Sequence, residues 1–239
     1  NTQDGLIHLI KRIELIDGVK SARILYLYPS TTTLKLIKTI GDSKVFHNYF
    51  DMPIQHINDD MLRIMKRGFG KAKTLELLNA MKALPNAFIR TSFIVGHPQE
   101  SEAMFEEMVA FAGSFGFDRL NVFSYSDEEG TSAYTMEEKI APKVINARAK
   151  KLGKIASNVE VESLQKLVGQ EISLIIDGES YEHEFLLSAR ALNWAPDVDG
   201  EIYVNDREIE GELSFGKIYH ARITELAQTR PLATVTGNV

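Results

Sequence analysis

The sequence predicts an α/β protein in which an incomplete parallel sheet is followed by a small all-β barrel. Over residues 1–125, apolar runs with strand character alternate with segments of helical periodicity, as in βαβ units, whose strands are parallel. After residue 169 the helical pattern gives way to short β runs separated by glycine and proline, at the spacing typical of a small barrel. We therefore predict two domains, 1–169 and 170–239.

The predicted helices combine apolar residues at helical spacing with polar residues that suit an N-cap. In the first helix Leu6, Ile10 and Ile13 fall on one face. Asn58 precedes Asp59 and Asp60, whose negative charges complement the helix dipole. The remaining helices are predicted after the segment 30–33, from Lys71 to Leu84, after Ser101, and over the long polar segment 137–168.

Four strands are predicted in the first domain, at Arg23–Tyr28, Val45–Phe50, Phe88–Val95 and Leu120–Tyr125. Four strands are too few to close an eight-stranded α/β barrel, so we expect a partial barrel or open sheet that lacks its opening strand or strands. In the second domain, β runs are predicted at Ile172–Ile176, Glu184–Leu187, Glu201–Val204 and Ile218–Ile223.

Composition limits the metal chemistry that this chain can support. The sequence has no cysteine, which excludes disulfides and any thiolate-held metal or cluster within the chain. Its six histidines show no paired spacing, so a histidine metal site is not expected either. The chain begins at Asn1 rather than Met, which favours a fragment or a processed chain.

The net charge of −6 is unevenly distributed along the chain. Residues 170–239 hold 5 Lys+Arg and 13 Asp+Glu, against 22 and 20 in residues 1–169. An acidic domain repels a phosphate backbone and attracts a basic partner, although plain solubility explains the charge equally well. No apolar run approaches the roughly 18–20 residues that span a bilayer, and no secretory leader is present, so we expect a cytoplasmic protein without a membrane partner.

The carboxyl ends of the strands carry the candidate site, because function gathers there in parallel α/β barrels. Gln55 lies in the loop Asp51–His56, and its amide offers both a donor and an acceptor to the ribose or amino-acid atoms of a cofactor. The alternative is a loop that only caps its own helix. No catalytic side chain is predicted in this chain.

The strand Phe88–Val95 adds polar candidates to this end of the sheet. Arg90 and Ser92 are two residues apart and therefore project to the same face. A charge within an apolar strand is costly unless it is paired, so Arg90 either binds a carboxylate or forms an ion pair across the barrel. Gly96 lets a planar ligand approach the backbone. Phe123 and Tyr125, at the end of the fourth strand, either pack on an adenine or belong to the core.

Three segments resemble the methylthiotransferase branch of the radical S-adenosylmethionine enzymes. They are Asp51–Gly68 (DMPIQHINDDMLRIMKRG), Arg90–Ser101 (RTSFIVGHPQES) and Phe123–Ala133 (FSYSDEEGTSA). Within that branch, DMPIQH is similar to the ribosomal-protein aspartate methylthiotransferases, whereas the tRNA-modifying enzymes tend to read PxQSGS at this point. Residues 170–239 resemble a TRAM domain, a small OB-like β-barrel that docks the substrate.

The resemblance implies a radical-SAM-type barrel in which Gln55, Arg90, Ser92 and Gly96 line the S-adenosylmethionine pocket, with Phe123 and Tyr125 near the adenine. It also implies two four-iron four-sulfur clusters in the parent enzyme. The cysteine ligands of both clusters would lie outside this chain, so the chain alone is expected to be inactive. Two positions depart from the family pattern: Ser92 stands where the tRNA enzymes usually have Asp, and the common GFPGE reads GHPQE.

The implied reaction adds a methylthio group to the β-carbon of an aspartate on a basic ribosomal protein of the small subunit, bound through the acidic TRAM domain. Two alternatives stay open. The first is methylthiolation of adenosine in tRNA, which the acidic charge disfavours. The second is a non-catalytic adaptor that binds the ribosome or RNA.

Overall fold

The structure, a computed structural model, describes residues 4–239, and these form two compact units that meet in sequence at Val159 and Glu160. This point lies within one long helix, Pro142–Gln165. The limits predicted from the sequence, 1–169 and 170–239, stay a prediction.

The first unit is built on a four-stranded parallel sheet. Its elements are α1 (Gly5–Ile13), β1 (Ala22–Ile24), α2 (Leu34–Gly41), β2 (Phe46–Asp51), α3 (Asp59–Ile64), α4 (Lys71–Lys82), β3 (Phe88–Val95), α5 (Glu102–Ser114), β4 (Arg119–Ser124) and the first part of α6 (Pro142–Gln165). The strands lie in the order β1-β2-β3-β4, all parallel. This confirms the predicted α/β fold with an incomplete parallel barrel.

Three helices begin at the predicted caps. The side chain of Thr33 accepts a hydrogen bond from the backbone of Leu36, and that of Ser101 accepts one from Met104. Asn58 accepts from two backbone N–H groups in the first turn of α3. Each side chain satisfies donors that a helix start leaves unpaired.

The first strand is shorter than predicted. The expected strand Arg23–Tyr28 is wrong beyond Ile24, where β1 ends. Tyr26 has a left-handed φ of 60°, which breaks the extended conformation. The chain then returns to β2, where the N–H of Leu27 donates to the carbonyl of Asp51 at 2.7 Å.

One face of the sheet packs on the helices and forms the core of the unit. On β3, Ile89, Phe93 and Val95 are buried in this core. Phe93 meets the rings of Phe111 and Phe117 edge-on, at centroid distances of 6.4 and 6.3 Å. Because side chains alternate along a strand, Arg90, Ser92 and Ile94 lie on the opposite face.

The second unit is a closed five-stranded barrel. Its strands are β5 (Glu171–Glu179), β6 (Leu187–Ala191), β7 (Ile202–Arg207), β8 (Ile218–Ala227) and β9 (Arg230–Asn238), in the order β5-β6-β7-β9-β8. All neighbours are antiparallel except β7 and β9, which are parallel. The predicted small all-β barrel is confirmed.

Two details of the barrel differ from the sequence prediction. The β run expected at Glu184–Leu187 is wrong, because this segment is mostly a turn closed by a bond from Leu186 to His183. Strand β9 was not predicted. Pro231 and Gly237 interrupt its apolar pattern, yet alternate residues of β9 are buried, as a barrel strand requires. Among residues 4–239, no helix has the length and apolar character needed to cross a membrane.

Candidate cofactor-binding site

Strand register places polar residues of β2, β3 and β4 on one face of the sheet. Asp51 pairs with Arg90, and Arg90 pairs with Arg119. One layer further towards the carboxyl ends, Ser92 pairs with Asn121. Partners in parallel register point to the same side of a sheet, so these five residues form a polar face opposite the helix-covered core.

Arg90 forms an ion pair with its neighbour in the polar face. Its Nε atom lies 3.8 Å from Oδ1 of Asp51, and the Oδ2 atom of the same carboxylate accepts a hydrogen bond from the N–H of Tyr26. The ion pair across strands, one of the two alternatives for Arg90, is thus present. The Arg90 side chain is 19% exposed, whereas that of Asp51 is 7% exposed. Binding of a carboxylate by Arg90 stays a prediction.

Gln55 lies beyond the end of β2 and its backbone is hydrogen-bonded to β3. Its N–H donates to the carbonyl of Ser92 and its carbonyl accepts from the N–H of Ile94, both at 2.9 Å. The residue adopts a left-handed φ of 70°, which costs a side-chain-bearing residue about 1–2 kcal/mol. Gln55 and Ser92 are therefore adjacent at the strand ends, and Arg90 lies two residues before Ser92 on the same strand. Left-handed backbone strain of the kind seen at Gln55 is concentrated at functional sites in proteins.

Gly96 is required by the packing of α6. Its φ is 81°, and a Cβ at this position would lie only 2.5 Å from Cγ1 of Ile145. The space beside the Cα is therefore filled by a helix, which by itself explains why a side chain is excluded. Contact between Gly96 and a planar ligand stays a prediction.

Phe123 and Tyr125 lie near the end of β4 and outside the core. Phe123 is 55% exposed and pairs in register with Ile94, on the side of the polar face. The hydroxyl of Tyr125 donates to Oδ1 of Asp127 at 2.7 Å. Burial and then this bond raise the pKa of Tyr125 to about 12. Conversely, bonds from Lys139 and Tyr125 lower the pKa of Asp127. Packing of either ring on an adenine stays a prediction.

The two histidines of the strand-end loops are buried. Burial lowers the pKa of His97, whose ring lies 5.1 Å from that of Tyr125. His56 is fully buried beside Glu100, and Glu100 is paired with Arg148 of α6. Sequence reasoning missed Glu100 and Arg148. Arg148 belongs to a cluster of cations in a polar helix, and no local signal distinguishes it from its exposed neighbours.

The residues of this chain do not fit an iron–sulfur cluster, but they fit part of an S-adenosylmethionine site. No cysteine is present, and residues 4–239 contain no group of three side chains able to hold a metal ion. The polar face, in contrast, offers a partly exposed guanidinium, a hydroxyl and an amide at Arg90, Ser92 and Asn121. These groups match the carboxylate and hydroxyls of an amino-acid nucleoside.

The barrel unit has a cleft of about 1070 Å³ at its surface. Its lining includes four carboxylates and two guanidinium groups: Asp177, Glu179, Asp197, Glu201, Arg190 and Arg230. Arg190 is paired with Asp177, and Arg230 lies 3.9 Å from Glu201. Tyr181 and Phe215 at the cleft are exposed aromatic residues. The cleft is therefore net acidic, with apolar surface left in water.

Two family models match the chain. Residues 1–112 match the Radical SAM superfamily, and residues 168–230 match the TRAM domain. The first match covers β1 to β3 of the parallel sheet, and the second covers β5 to β8 of the barrel.

Curated relatives match nearly the whole chain. The ribosomal protein uS12 methylthiotransferase RimO of Sulfurimonas denitrificans is 69% identical over 95% of this chain and 52% of its own length. The proteins of the same name from Aliarcobacter butzleri and Campylobacter jejuni are 57% and 50% identical, over 98% and 99% of this chain and 53% and 54% of theirs. The chain spans about half the length of the curated relatives it matches.

Among solved structures, coproporphyrinogen III oxidase (HemN) from Escherichia coli, described as a radical SAM enzyme, has a similar fold. The match has a TM-score of 0.50 at 16% identity and covers 69% of this chain and 37% of that one. At this identity the likeness concerns the fold alone.

Proposed function

We propose that the chain belongs to the methylthiotransferase branch of the radical SAM superfamily and forms part of an enzyme that modifies ribosomal protein uS12. The parent enzyme would add a methylthio group to the β-carbon of an aspartate of that protein. The observation that supports the proposal is that Arg90 and Ser92 lie on one face of β3, beside the carboxyl end of β2 and the loop that carries Gln55. In such barrels the loops after the strands bind the ligand. With a ribosomal protein as its substrate, the proposed enzyme would act in the cytoplasm.

In this proposal the polar face holds S-adenosylmethionine. Arg90 binds the carboxylate of the cofactor through its planar fork, and Asp51 keeps the guanidinium in place from the neighbouring strand. Gln55 and Ser92 bond polar atoms beside it, Gly96 lines the pocket, and Phe123 and Tyr125 lie near the adenine. When bound at an iron–sulfur cluster, the cofactor supplies the radical chemistry. Both clusters of the parent enzyme would be held by polypeptide outside this chain.

Substitution of Arg90 tests the cofactor site. In the parent enzyme, Arg90→Lys is expected to weaken S-adenosylmethionine binding about tenfold. The lysine ammonium cannot form the two parallel hydrogen bonds of a guanidinium, and a charge-assisted hydrogen bond contributes roughly 1.5–3 kcal/mol. The matched control is Arg63→Lys on α3, whose exposed guanidinium pairs with Asp60. Equal affinities of the two variants would refute the assignment of Arg90.

A second experiment concerns the chain by itself. After treatment with iron and sulfide, the chain is expected to release no 5′-deoxyadenosine from S-adenosylmethionine, because it offers no thiolate to hold a cluster. Release of 5′-deoxyadenosine would contradict the proposal that the cluster ligands lie elsewhere.

For the partner, we propose that the acidic barrel binds the basic ribosomal protein. Residues 170–239 carry 13 Asp+Glu and 5 Lys+Arg, a balance that suits a cationic protein and opposes a nucleic-acid backbone. The acidic cleft adds exposed rings at Tyr181 and Phe215, and such rings favour contact with lysine and arginine side chains.

The partner is tested with two charge-matched double variants of the chain. Glu179→Gln with Asp197→Asn neutralises the cleft, whereas Glu210→Gln with Glu212→Gln removes the same charge from exposed positions that do not line it. Purified uS12 is expected to bind the first variant more weakly than the second. Tight, salt-sensitive binding of tRNA to the wild-type chain would instead favour methylthiolation of tRNA.

A further inference from the structure

A buried carboxylate ties the loop after β3 to helix α6. Glu100 is 1% exposed, and its Oε2 atom accepts hydrogen bonds from the N–H of Gly96 at 2.8 Å and from Nη1 of Arg148 at 2.6 Å. The same Nη1 donates to the carbonyl of Glu100 at 2.9 Å. Nη2 of Arg148 donates to Glu102 at the start of α5, also at 2.9 Å. One ion pair therefore holds a strand-end turn and two helices together.

The other oxygen of Glu100 faces the loop after β2. Nδ1 of the buried His56 accepts hydrogen bonds from the N–H groups of Ile57 and Asn58, both at 3.0 Å. A ring nitrogen that accepts carries no proton, so the neutral imidazole holds its proton on Nε2. That atom lies 3.5 Å from Oε1 of Glu100, and within residues 4–239 neither atom has a hydrogen-bond partner. The two atoms are therefore neighbours in a buried site, at a distance slightly longer than a normal hydrogen bond.

Stability alone does not explain this arrangement. Buried ion pairs are often no more stabilising than apolar residues of the same volume, because burial removes the charges from water. What the network does is fix three segments relative to one another: the loop with Gln55 and His56, the turn with Gly96 and Glu100, and α6 with Arg148. The first two segments carry residues of the proposed cofactor site.

We infer that Glu100 is a positioning residue, whose carboxylate holds the loops after β2 and β3 in the geometry that binds S-adenosylmethionine. His56 and Arg148 act through it, one from each side. This inference rests on the proposed function, and none of the three residues needs to touch the cofactor.

The first test compares two carboxylates that both pair with α6. In Glu100→Gln an amide replaces the buried carboxylate, which removes the negative charge and leaves one acceptor oxygen, so the NH2 group must face either Arg148 and Gly96 or His56. Glu106→Gln is the control, because the Glu106 side chain is 46% exposed and pairs with Lys151 of α6. In the parent enzyme with its cluster, the dissociation constant of S-adenosylmethionine is expected to rise by about tenfold for Glu100→Gln and to stay unchanged for Glu106→Gln. The KM for the cofactor should rise more than kcat falls, because a displaced pocket weakens binding first.

The second test separates the two nitrogens of His56. An asparagine at position 56 retains an acceptor near Nδ1 and lacks the group that faces Glu100, whereas a glutamine retains a donor near Nε2 and lacks the other. Cofactor affinity near that of the wild type is expected for His56→Gln, and a weaker one for His56→Asn. The opposite order would overturn the inference, because it would assign His56 only to the support of its own loop. If Glu100→Gln does not fold, the comparison of His56→Gln with His56→Asn tests the positioning role in its place.

A third readout needs neither cluster nor activity. In the chain itself, Glu100→Ala removes the acceptor of the Gly96 N–H, so faster hydrogen exchange is expected at Gly96 and in the loop 52–58. Glu106→Ala should leave both regions unchanged. Unchanged exchange in the loop 52–58 of Glu100→Ala would overturn the inference.

The outcomes for the two proposals differ. A wild-type parent enzyme that does not bind S-adenosylmethionine would overturn the proposed function. Wild-type binding together with equal affinities for Glu100→Gln and Glu106→Gln would overturn the positioning role alone.

Discussion

The two units of this chain treat ionisable side chains in opposite ways. The first unit buries Asp51, His56, Glu100, Arg119 and Arg148 in or beside its parallel sheet. Among residues 160–239, the buried acidic or basic side chain is that of Asp199, which accepts a hydrogen bond from the N–H of Ala195. The other acidic groups of the barrel lie at least partly in water.

This difference separates two uses of charge. A buried charge is costly unless its partners are fixed, so it holds neighbouring segments in one geometry. An exposed charge costs little, contributes little to stability and acts at a distance on a partner. The sheet unit therefore has the properties of a positioned site, and the barrel those of an attracting surface.

The largest expected effect comes from the buried pair. Replacement of Arg148 by Met leaves the carboxylate of Glu100 buried without its guanidinium, which is expected to cost about 3–5 kcal/mol of the free energy of unfolding. The control in the barrel is Arg222→Met, which removes exposed ion pairs with Glu171 and Glu208 and should cost about 0–1 kcal/mol.

Urea unfolding with two probes measures this contrast. Helical circular dichroism reports mainly on the first unit, which holds α1 to α5, and fluorescence of the single tryptophan, Trp194, reports on the barrel. Equal losses for Arg148→Met and Arg222→Met would remove the energetic distinction between the units.

Glycine substitutions test close packing in the two units. Gly96→Ala combines a left-handed φ with a Cβ that meets Ile145 and is expected to cost about 3 kcal/mol, the sum of backbone strain and overpacking. Gly211→Ala in the barrel has a φ of 89° but no atom within 4 Å, so only the strain of about 1–2 kcal/mol should remain. The same two probes give the values. A loss at position 96 no larger than at position 211 would contradict the packing of Ile145 on Gly96.

Tyrosine ionisation compares one hydroxyl–carboxylate pair in each unit. The pKa of Tyr125 is raised to about 12, and the pKa of Tyr203 is raised by burial and by its bond to Glu182. A phenol whose pKa is higher in the folded than in the unfolded state stabilises the fold fully below pH 10, and this contribution is lost as the pH rises towards 12.

Absorbance titration of tyrosinate follows both groups. The ionisation step near pH 12 should disappear in Tyr125→Phe and move to lower pH in Asp127→Asn. In the barrel, Glu182→Gln should shift the step of Tyr203 in the same direction. A Tyr125 step that Asp127→Asn leaves unmoved would contradict the hydrogen bond between the two side chains.

The smallest effects are expected at exposed ion pairs, in either unit. Asp42→Asn breaks the pair with Lys38 on α2, and Glu171→Gln breaks one contact of Arg222 on the barrel. Both changes should alter the free energy of unfolding by less than about 0.5 kcal/mol, because water screens both pairs. A large loss for either variant would show that burial is not what distinguishes the units.

Features that depend on neighbours in sequence could be predicted from the sequence. Thr33, Asn58 and Ser101 cap their helices because the bonds span two or three residues. The shared face of Arg90 and Ser92 follows from the alternation of side chains along a strand.

Features set by distant segments could not be predicted. Arg148 is buried because it meets a carboxylate 48 residues earlier, which a run of cations in a helix does not reveal. The packing of Ile145 against Gly96 is not visible in the local sequence either, because the helix that carries Ile145 begins only at Pro142, much later in the chain. Strand β9 carries a proline and a glycine, and only its pairing with β7 and β8 defines it as a strand.

The place of β9 has a consequence for biosynthesis. Strand β9 lies between β7 and β8 and closes the barrel, although it follows both in the chain. Until Arg230–Asn238 has left the ribosome, the nascent barrel therefore exposes two unpaired strand edges, which are sites of wrong pairing between chains. Release of these few residues converts an aggregation-prone sheet into a cylinder without edges.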